Sequence, residues 1–170
     1  TVVREEFIAE GINEEGLSAG LFFFPDYGSY QKYEPSHNAI TLGDLQVVTW
    51  MLSRFATIDQ LKQGIKEVRI VGLDKTAVVH WRIGERSGRQ VVMEIVDGKV
   101  EFFENTVGVI TNSPGFKWHL TNLNNYINRS FEHFIRILIA FESSTGRTTF
   151  VLFNLLFNLI NNILRILGNT

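Results

Sequence analysis

Cysteine is absent from all 170 residues of this chain. Its absence excludes disulfide bridges, thiolate metal sites and thiol catalysis by any group within the sequence. An excess of charge of one sign is also lacking, because 16 basic and 18 acidic residues leave a formal net charge of −2. Phosphate binding requires a basic surface, so we do not expect nucleic acid as a partner.

Metal-binding patterns are missing as well. The four histidines, His37, His80, His119 and His133, show no i, i+4 spacing on one helix, so a zinc site is not expected. No cofactor is expected either. His80 lies inside a strand pattern beside Trp81, and we interpret it as a core or sheet-face histidine whose ring is satisfied by backbone groups.

An uninterrupted hydrophobic run of membrane-spanning length is not found. The segment Thr149–Leu167 is apolar, but polar residues fall on one helical face: Asn154, Asn158, Asn161, Asn162 and Arg165. A spanning helix would not usually carry them in that register. We therefore expect an amphipathic helix packed on a protein core, with a membrane-surface helix as the second interpretation.

The patterns that are present favour one α+β domain. Apolar residues make up 45% of the chain and charged residues 20%, as in ordinary soluble domains. An Asp97-Gly98 pair between two apolar runs predicts a tight hairpin. Helices layered on an antiparallel sheet are the expected architecture. Strands are predicted at Thr1–Glu10, Leu17–Phe24, Ala77–Gly84, Arg89–Val96, Lys99–Glu104 and Val107–Thr111, and helices at Thr41–Phe55, Thr57–Lys66, from Pro114 and at Ser130–Phe141.

Two positions could carry chemistry. Thr1 could act as a nucleophile if its own α-amine served as the base, but no neighbouring feature supports that role. Asn112 lies between a predicted strand and a predicted helix, where its side-chain amide could donate to a developing oxyanion. A helix cap or an Asx turn explains the same asparagine without catalysis. The residues alone favour this structural explanation.

Three blocks in the first three quarters of the chain carry a family resemblance. Residues 11–17 read GINEEGL and are followed by AGL at 19–21. A hairpin pattern follows with VHW at 79–81, SG at 87–88 and VVME at 91–94. The longest block is VGVITNSPGFKWHLTNL at 107–123. Together these blocks resemble the choloylglycine hydrolase and penicillin V acylase family of cysteine N-terminal-nucleophile hydrolases, over about residues 2–126.

The resemblance implies a four-layer αββα fold with antiparallel sheets, of which this chain would form a part. In that family a cysteine exposed as residue one attacks an amide, and water later hydrolyses the acyl-enzyme. The implied partner is a small acyl amide such as a bile-salt conjugate or penicillin V, in the bacterial cytoplasm or periplasm. A membrane partner is not implied, and a homo-oligomer stays open. The nucleophilic cysteine would have to lie outside this chain.

The resemblance also implies site residues. Asn112 matches the asparagine whose side chain completes the oxyanion hole, and Phe22 falls where the family supplies a backbone N–H to it. Leu73 matches a loop that lines the acyl pocket. We expect residues 1–126 to be the central part of the hydrolase domain and residues 127–170 to be a poorly matched helical segment. A catalytically inactive binding or scaffold protein with the same fold is the alternative function.

Overall fold

The computed structural model describes residues 7–72, 74 and 77–125. The chain divides into two compact units, Thr1–His119 and Leu120–Thr170. The fold given below is that of the first unit, and of the second only residues 120–125 are described, as part of a helical run over 116–125. The predictions for Ser130–Phe141 and Thr149–Leu167 therefore lie outside the described residues.

Five antiparallel strands form the main sheet. In the described part of the first unit the strands are, in chain order, β1 (Glu10–Ile12), β2 (Ser18–Phe23), β3 (Thr41–Gly43), β4 (Arg69–Val71), β5 (Val79–Gly84), β6 (Gln90–Val96) and β7 (Lys99–Glu104). The main sheet has the order β1-β2-β5-β6-β7, while β3 and β4 form a small parallel pair. The α+β architecture is therefore confirmed.

The predicted three-strand meander is confirmed in β5, β6 and β7. Its second turn places Asp97 at φ 50° and Gly98 at φ 71°, and the flanking pair Val96 and Lys99 closes the ladder. Positive φ at both central positions is the backbone of a type I′ turn, whose twist matches that of the strands it joins. The Asp-Gly pair thus fixes the hairpin locally.

Two helices pack near the sheet, α1 (Val47–Arg54) and α2 (Ile58–Gly64). The predicted start of the first helix at Thr41 is wrong, because Thr41–Gly43 pairs as β3 with β4 and only then does a short 3₁₀ turn lead into α1. The start of α2 is confirmed. The Thr57 hydroxyl accepts the backbone N–H of Gln60 at 3.2 Å, as a helix N-cap does.

Two other predicted strands differ from the structure. Residues 107–111 form no strand, because Asn105 accepts the N–H of Gly108 at 3.0 Å and Gly108 takes a φ of 71°, which turns the chain out of the ladder. At the N-terminal end, a strand was predicted over Thr1–Glu10, but only Glu10 of that range is in β1. Residues 7–9 are not strand, and residues 1–6 lie outside the described residues. The helix predicted from Pro114 begins at residue 116.

One face of the main sheet packs on the helices. Alternate residues of the strands and the apolar faces of α1 and α2 form this core: Leu17, Ala19, Val47, Val48, Met51, Ile58, Leu61, Trp81, Ile83, Val91, Met93 and Ile95. Each of the Val, Leu, Ile and Met side chains contributes about 1.5–3 kcal/mol when fully buried. The opposite face carries His80 and Glu94, which are also buried. None of the helices within the described ranges is both long and apolar enough to cross a membrane.

Candidate active site

The candidate site lies where β2 extends beyond β1. Leu21 donates its N–H to the carbonyl of Ala9 at 2.9 Å, and the chain before β1 then leaves the ladder. Beyond this point the loop after β7 supplies the hydrogen-bonding partners of β2. Phe23 donates its N–H to Asn112 Oδ1 at 2.9 Å, and Ser113 donates its N–H to the Phe23 carbonyl at 2.8 Å. The loop residues therefore continue the hydrogen-bonding pattern of a strand at this edge.

This contact determines the orientation of the Asn112 side chain. A backbone N–H can be accepted only by the amide oxygen, so the oxygen faces Phe23 and Nδ2 is the other end. Asn112 is exposed, and none of the described residues occupies Nδ2. Two neutral N–H donors are thus held in a fixed place at the sheet edge, available to an external acceptor.

The structural explanation of Asn112 as a local cap differs from what is found. The helical run starts four residues later, at residue 116, and the Asn112 oxygen binds a backbone amide 89 positions away in sequence. An Asx turn or helix cap would use that oxygen within its own loop. The side chain instead joins the loop to the end of β2.

The backbone N–H groups of Phe22 and Phe23 face different neighbours. Successive N–H groups of a strand point to opposite neighbours. Since Leu21 donates towards β1 and Phe24 donates to the Val78 carbonyl at 2.7 Å, the N–H of Phe22 faces β5. The neighbouring N–H, that of Phe23, is the one that faces Asn112.

Further contacts hold the Asn112 loop from both sides. The Ser113 hydroxyl donates to the Pro25 carbonyl at 3.0 Å, and His119 Nε2 donates to the Asn112 carbonyl at 3.0 Å. The side chain and carbonyl of Asn112 are therefore both engaged, so the loop is held beyond the single contact with β2.

A buried pair lies beneath the loop. His80 is fully buried, with Nδ1 3.2 Å from Glu94 Oε1 and Nε2 3.1 Å from the Thr111 carbonyl. Glu94 Oε1 also accepts the N–H of Phe116 at 2.7 Å. The interpretation of His80 as a buried histidine bonded to backbone is confirmed, while its carboxylate partner Glu94 was not predicted. The alternation of β5 and β6 could have placed both residues on one face.

Leu73 and Thr1 lie outside the described residues. In the described part of the chain, no group of three or more metal-liganding side chains comes together. The site is therefore a loop that presents an amide, supported by a polar pair.

Solved structures with the same fold identify its class. A variant of conjugated bile acid hydrolase from Clostridium perfringens superposes with a TM-score of 0.64 and 32% identity, covering 71% of this chain and 38% of that one. Penicillin V acylase from Agrobacterium tumefaciens superposes with a TM-score of 0.61 and 28% identity, covering 72% of this chain and 37% of that one. The chain forms part of an N-terminal-nucleophile hydrolase fold, as the resemblance implied.

The family follows from the sequence match. Residues 1–149 match the model of the choloylglycine hydrolase family of linear amide C–N hydrolases, and the chain belongs to that family. The match extends beyond residue 126, where the recognisable motifs end. A bile salt hydrolase/transferase from Clostridium perfringens is 31% identical over 143 residues, which cover 81% of this chain and 43% of that protein. A penicillin V acylase from Pectobacterium atrosepticum is 27% identical over 147 residues, which cover 75% of this chain and 39% of that protein. The chain thus spans about two fifths of the length of these relatives.

Proposed function

We propose that this chain is the oxyanion-binding part of an enzyme that hydrolyses a linear amide through an acyl-enzyme. The observation that supports it best is the Asn112 side chain, whose oxygen is occupied by Phe23 and whose Nδ2 donors stay available. Donors that are fixed before the reaction stabilise a developing negative oxygen without having to reorganise. Membership of the linear amide hydrolase family gives this geometry its chemical context.

The proposed reaction has two steps. A cysteine thiolate, supplied from outside the 170 residues, attacks the amide carbonyl, and the carbonyl oxygen becomes an oxyanion that accepts an N–H from Asn112 Nδ2. Collapse of the tetrahedral intermediate breaks the C–N bond and leaves a thioester, and the amine departs with the proton that the thiol lost when it ionised. Water then attacks the thioester, releases the acid and regenerates the thiol.

The proposed substrate is an apolar acyl group joined to a polar amine. The relatives named above act on conjugated bile acids and on penicillin V, which share that construction. The pocket role implied for Leu73 belongs to this proposal and lies outside the described residues. A substrate of either kind would place its carbonyl at the Asn112 amide.

The test requires the complete protein, with the segment that supplies the cysteine. The purified protein should release the amine from a taurine-conjugated bile acid or from penicillin V, and blocking its thiol with iodoacetamide should abolish the release. A matched sample with the cysteine replaced by alanine controls for contaminating hydrolases. Equal amine release by the blocked, alanine and untreated samples would contradict the thiol mechanism.

An inactive binding protein with the same fold is the second candidate. It would keep the fold and the acyl pocket, while its complete sequence would lack the nucleophilic cysteine. Such a protein would bind a bile-salt conjugate in calorimetry without any amine release, even with its complete sequence. Turnover by the complete protein would exclude this candidate.

A further inference from the structure

The buried pair His80 and Glu94 lies on the sheet face away from the helical core. His80 is 0% exposed and Glu94 is 5% exposed. The imidazole stacks on the ring of Phe24 at a centroid distance of 4.5 Å and an interplanar angle of 7°, and Phe22 meets it edge-on at 6.2 Å. The aromatic neighbours exclude water, so polar atoms in this place need protein partners.

The partners determine where the protons lie. The Thr111 carbonyl can only accept, so His80 Nε2 carries a proton and donates it. The other ring nitrogen, Nδ1, faces Glu94 Oε1 at 3.2 Å. Two lone pairs would repel each other there, so a second proton lies between these atoms, on the imidazole or on the carboxyl. The pair thus makes one continuous chain of hydrogen bonds.

This chain of hydrogen bonds reaches the two ends of the Asn112 loop. At one end Nε2 binds Thr111, the residue directly before Asn112. At the other end Glu94 Oε1 accepts the N–H of Phe116 at 2.7 Å. A Cβ atom at Gly115 would lie 3.3 Å from Glu94 Oε2, which is closer than most Cβ contacts in proteins. Glycine at this position therefore avoids crowding the carboxylate. The pair therefore spans the base of the loop.

We infer that His80 and Glu94 are positioning residues for the Asn112 donor. They fix the backbone on either side of it, while Phe23 fixes its side chain. The catalytic meaning rests on the proposed hydrolase function, but the positioning itself is a property of the fold. The positioning role can therefore be tested without measuring turnover. If the proposed hydrolase function fails its test, the positioning role is unaffected, and the reverse also holds.

The first measurement uses the unaltered chain. Nitrogen-15 NMR of His80 should show a protonated Nε2 with a coupling across the hydrogen bond to the Thr111 carbonyl. An unprotonated Nε2 would overturn the inference. No substitution is involved, so the result does not depend on how a variant folds.

The second measurement is amide hydrogen exchange in variants. The double variant His80→Phe with Glu94→Met replaces the pair by apolar groups of similar size, but it leaves the Thr111 carbonyl and the Phe116 N–H without these partners. The unfolding midpoint should therefore fall, and exchange should become faster throughout the sheet. Exchange of the Phe23 amide should in addition become roughly tenfold faster relative to that of Met93, since hydrogen bonds at both ends of the loop are lost. A purely structural pair would change both amides alike.

Two further variants complete the design. Both Phe116 and His80 Nδ1 meet the same carboxylate oxygen, so the amide of Glu94→Gln can accept from Phe116 or donate to Nδ1 but not both, and its Phe23 exchange should rise less than in the double variant. Asn13→Ala is the matched control, because it removes the amide that binds the Leu52 and Phe55 carbonyls at 2.9 and 2.8 Å, near the start of β2. It should leave the ratio of the Phe23 and Met93 rates unchanged. The inference would be overturned if the ratio of the Phe23 and Met93 exchange rates were unchanged in the double variant. It would also be overturned if Glu94→Gln raised that ratio as much as the double variant does.

Discussion

Substitution of Asn112 by alanine and by aspartate separates the catalytic role from the structural one. Alanine removes both the oxygen that accepts the Phe23 N–H at 2.9 Å and the donors on Nδ2. Aspartate keeps an oxygen for Phe23 and removes only the donors. If Asn112 mainly anchors the loop, aspartate should be the milder change. If it donates to an oxyanion, aspartate should be the more harmful one for turnover.

The magnitudes follow from the contacts. Loss of one exposed hydrogen bond should lower the free energy of unfolding of the alanine variant by about 0.5–1.5 kcal/mol. Loss of an oxyanion-hole donor should lower kcat by about 10²–10³, which corresponds to about 2.7–4 kcal/mol. In the aspartate variant, stability should be kept. Two like charges about 4 Å apart add up to about 4 kcal/mol of repulsion near a protein surface, so turnover should fall further than in alanine.

Both quantities are measured on the complete protein that carries the cysteine. Amine release gives kcat, and urea denaturation gives the free energy of unfolding. The matched control is Asn13→Ala, which removes an asparagine that supports a turn at the other end of β2 and should lower stability but not kcat. An aspartate variant with the original kcat would refute the donor role and leave Asn112 a loop anchor.

Three further predictions concern stability and the isolated chain. The Arg89 guanidinium, with Lys62, lowers the pKa of Glu104 to about 2, so the ion pairs stabilise the fold above the ordinary carboxyl range and are lost as pH falls towards 2. Because Glu104 is half exposed, we expect Glu104→Gln to cost only about 1 kcal/mol at pH 7 in urea titrations, with the difference vanishing near pH 2; a constant difference would contradict this. Gly98→Ala should cost about 1–2 kcal/mol, because φ is 71° there, and Gly98→Asn should cost less; equal unfolding midpoints would refute the turn argument. The 170-residue chain alone should release no amine from penicillin V above a blank, since it contains no cysteine; measurable release would revive Thr1 as a nucleophile.

Local signals in the sequence predicted the local structure well. The Asp97-Gly98 turn and the Thr57 cap are confirmed, because each depends on residues within a few positions of one another. The helix start at Thr41 was wrong for the opposite reason. Thr41–Gly43 is drawn into a parallel pair with Arg69–Val71, and such a distant partner leaves no signal near Thr41.

The candidate site likewise has a part with a local signal in the sequence and a part that depends on distant contacts. Asn112 could be found from its motif and its place between strand and helix patterns. Its partner could not, because the contact joins residues 89 positions apart. Three successive phenylalanines also leave the register of β2 open by one residue, and only the ladder distinguishes the N–H of Phe22 from that of Phe23. The role predicted for the Phe22 N–H stays a prediction. In the structure that N–H faces β5, and the N–H of Phe23 is the one that the Asn112 oxygen accepts.

The chemistry of position 112 explains why asparagine suits both the contact that it makes and the role that we propose for it. The end of β2 presents an N–H that needs an acceptor, and the proposed oxyanion needs a neutral donor at the same edge. An aspartate offers the acceptor without the donor, and a serine hydroxyl has only one proton to donate. The amide carries an acceptor and two donors in one short, planar group. Its oxygen is committed to the fold, so the nitrogen is aimed without any further contact, and the loop contacts below it fix the backbone from which it projects.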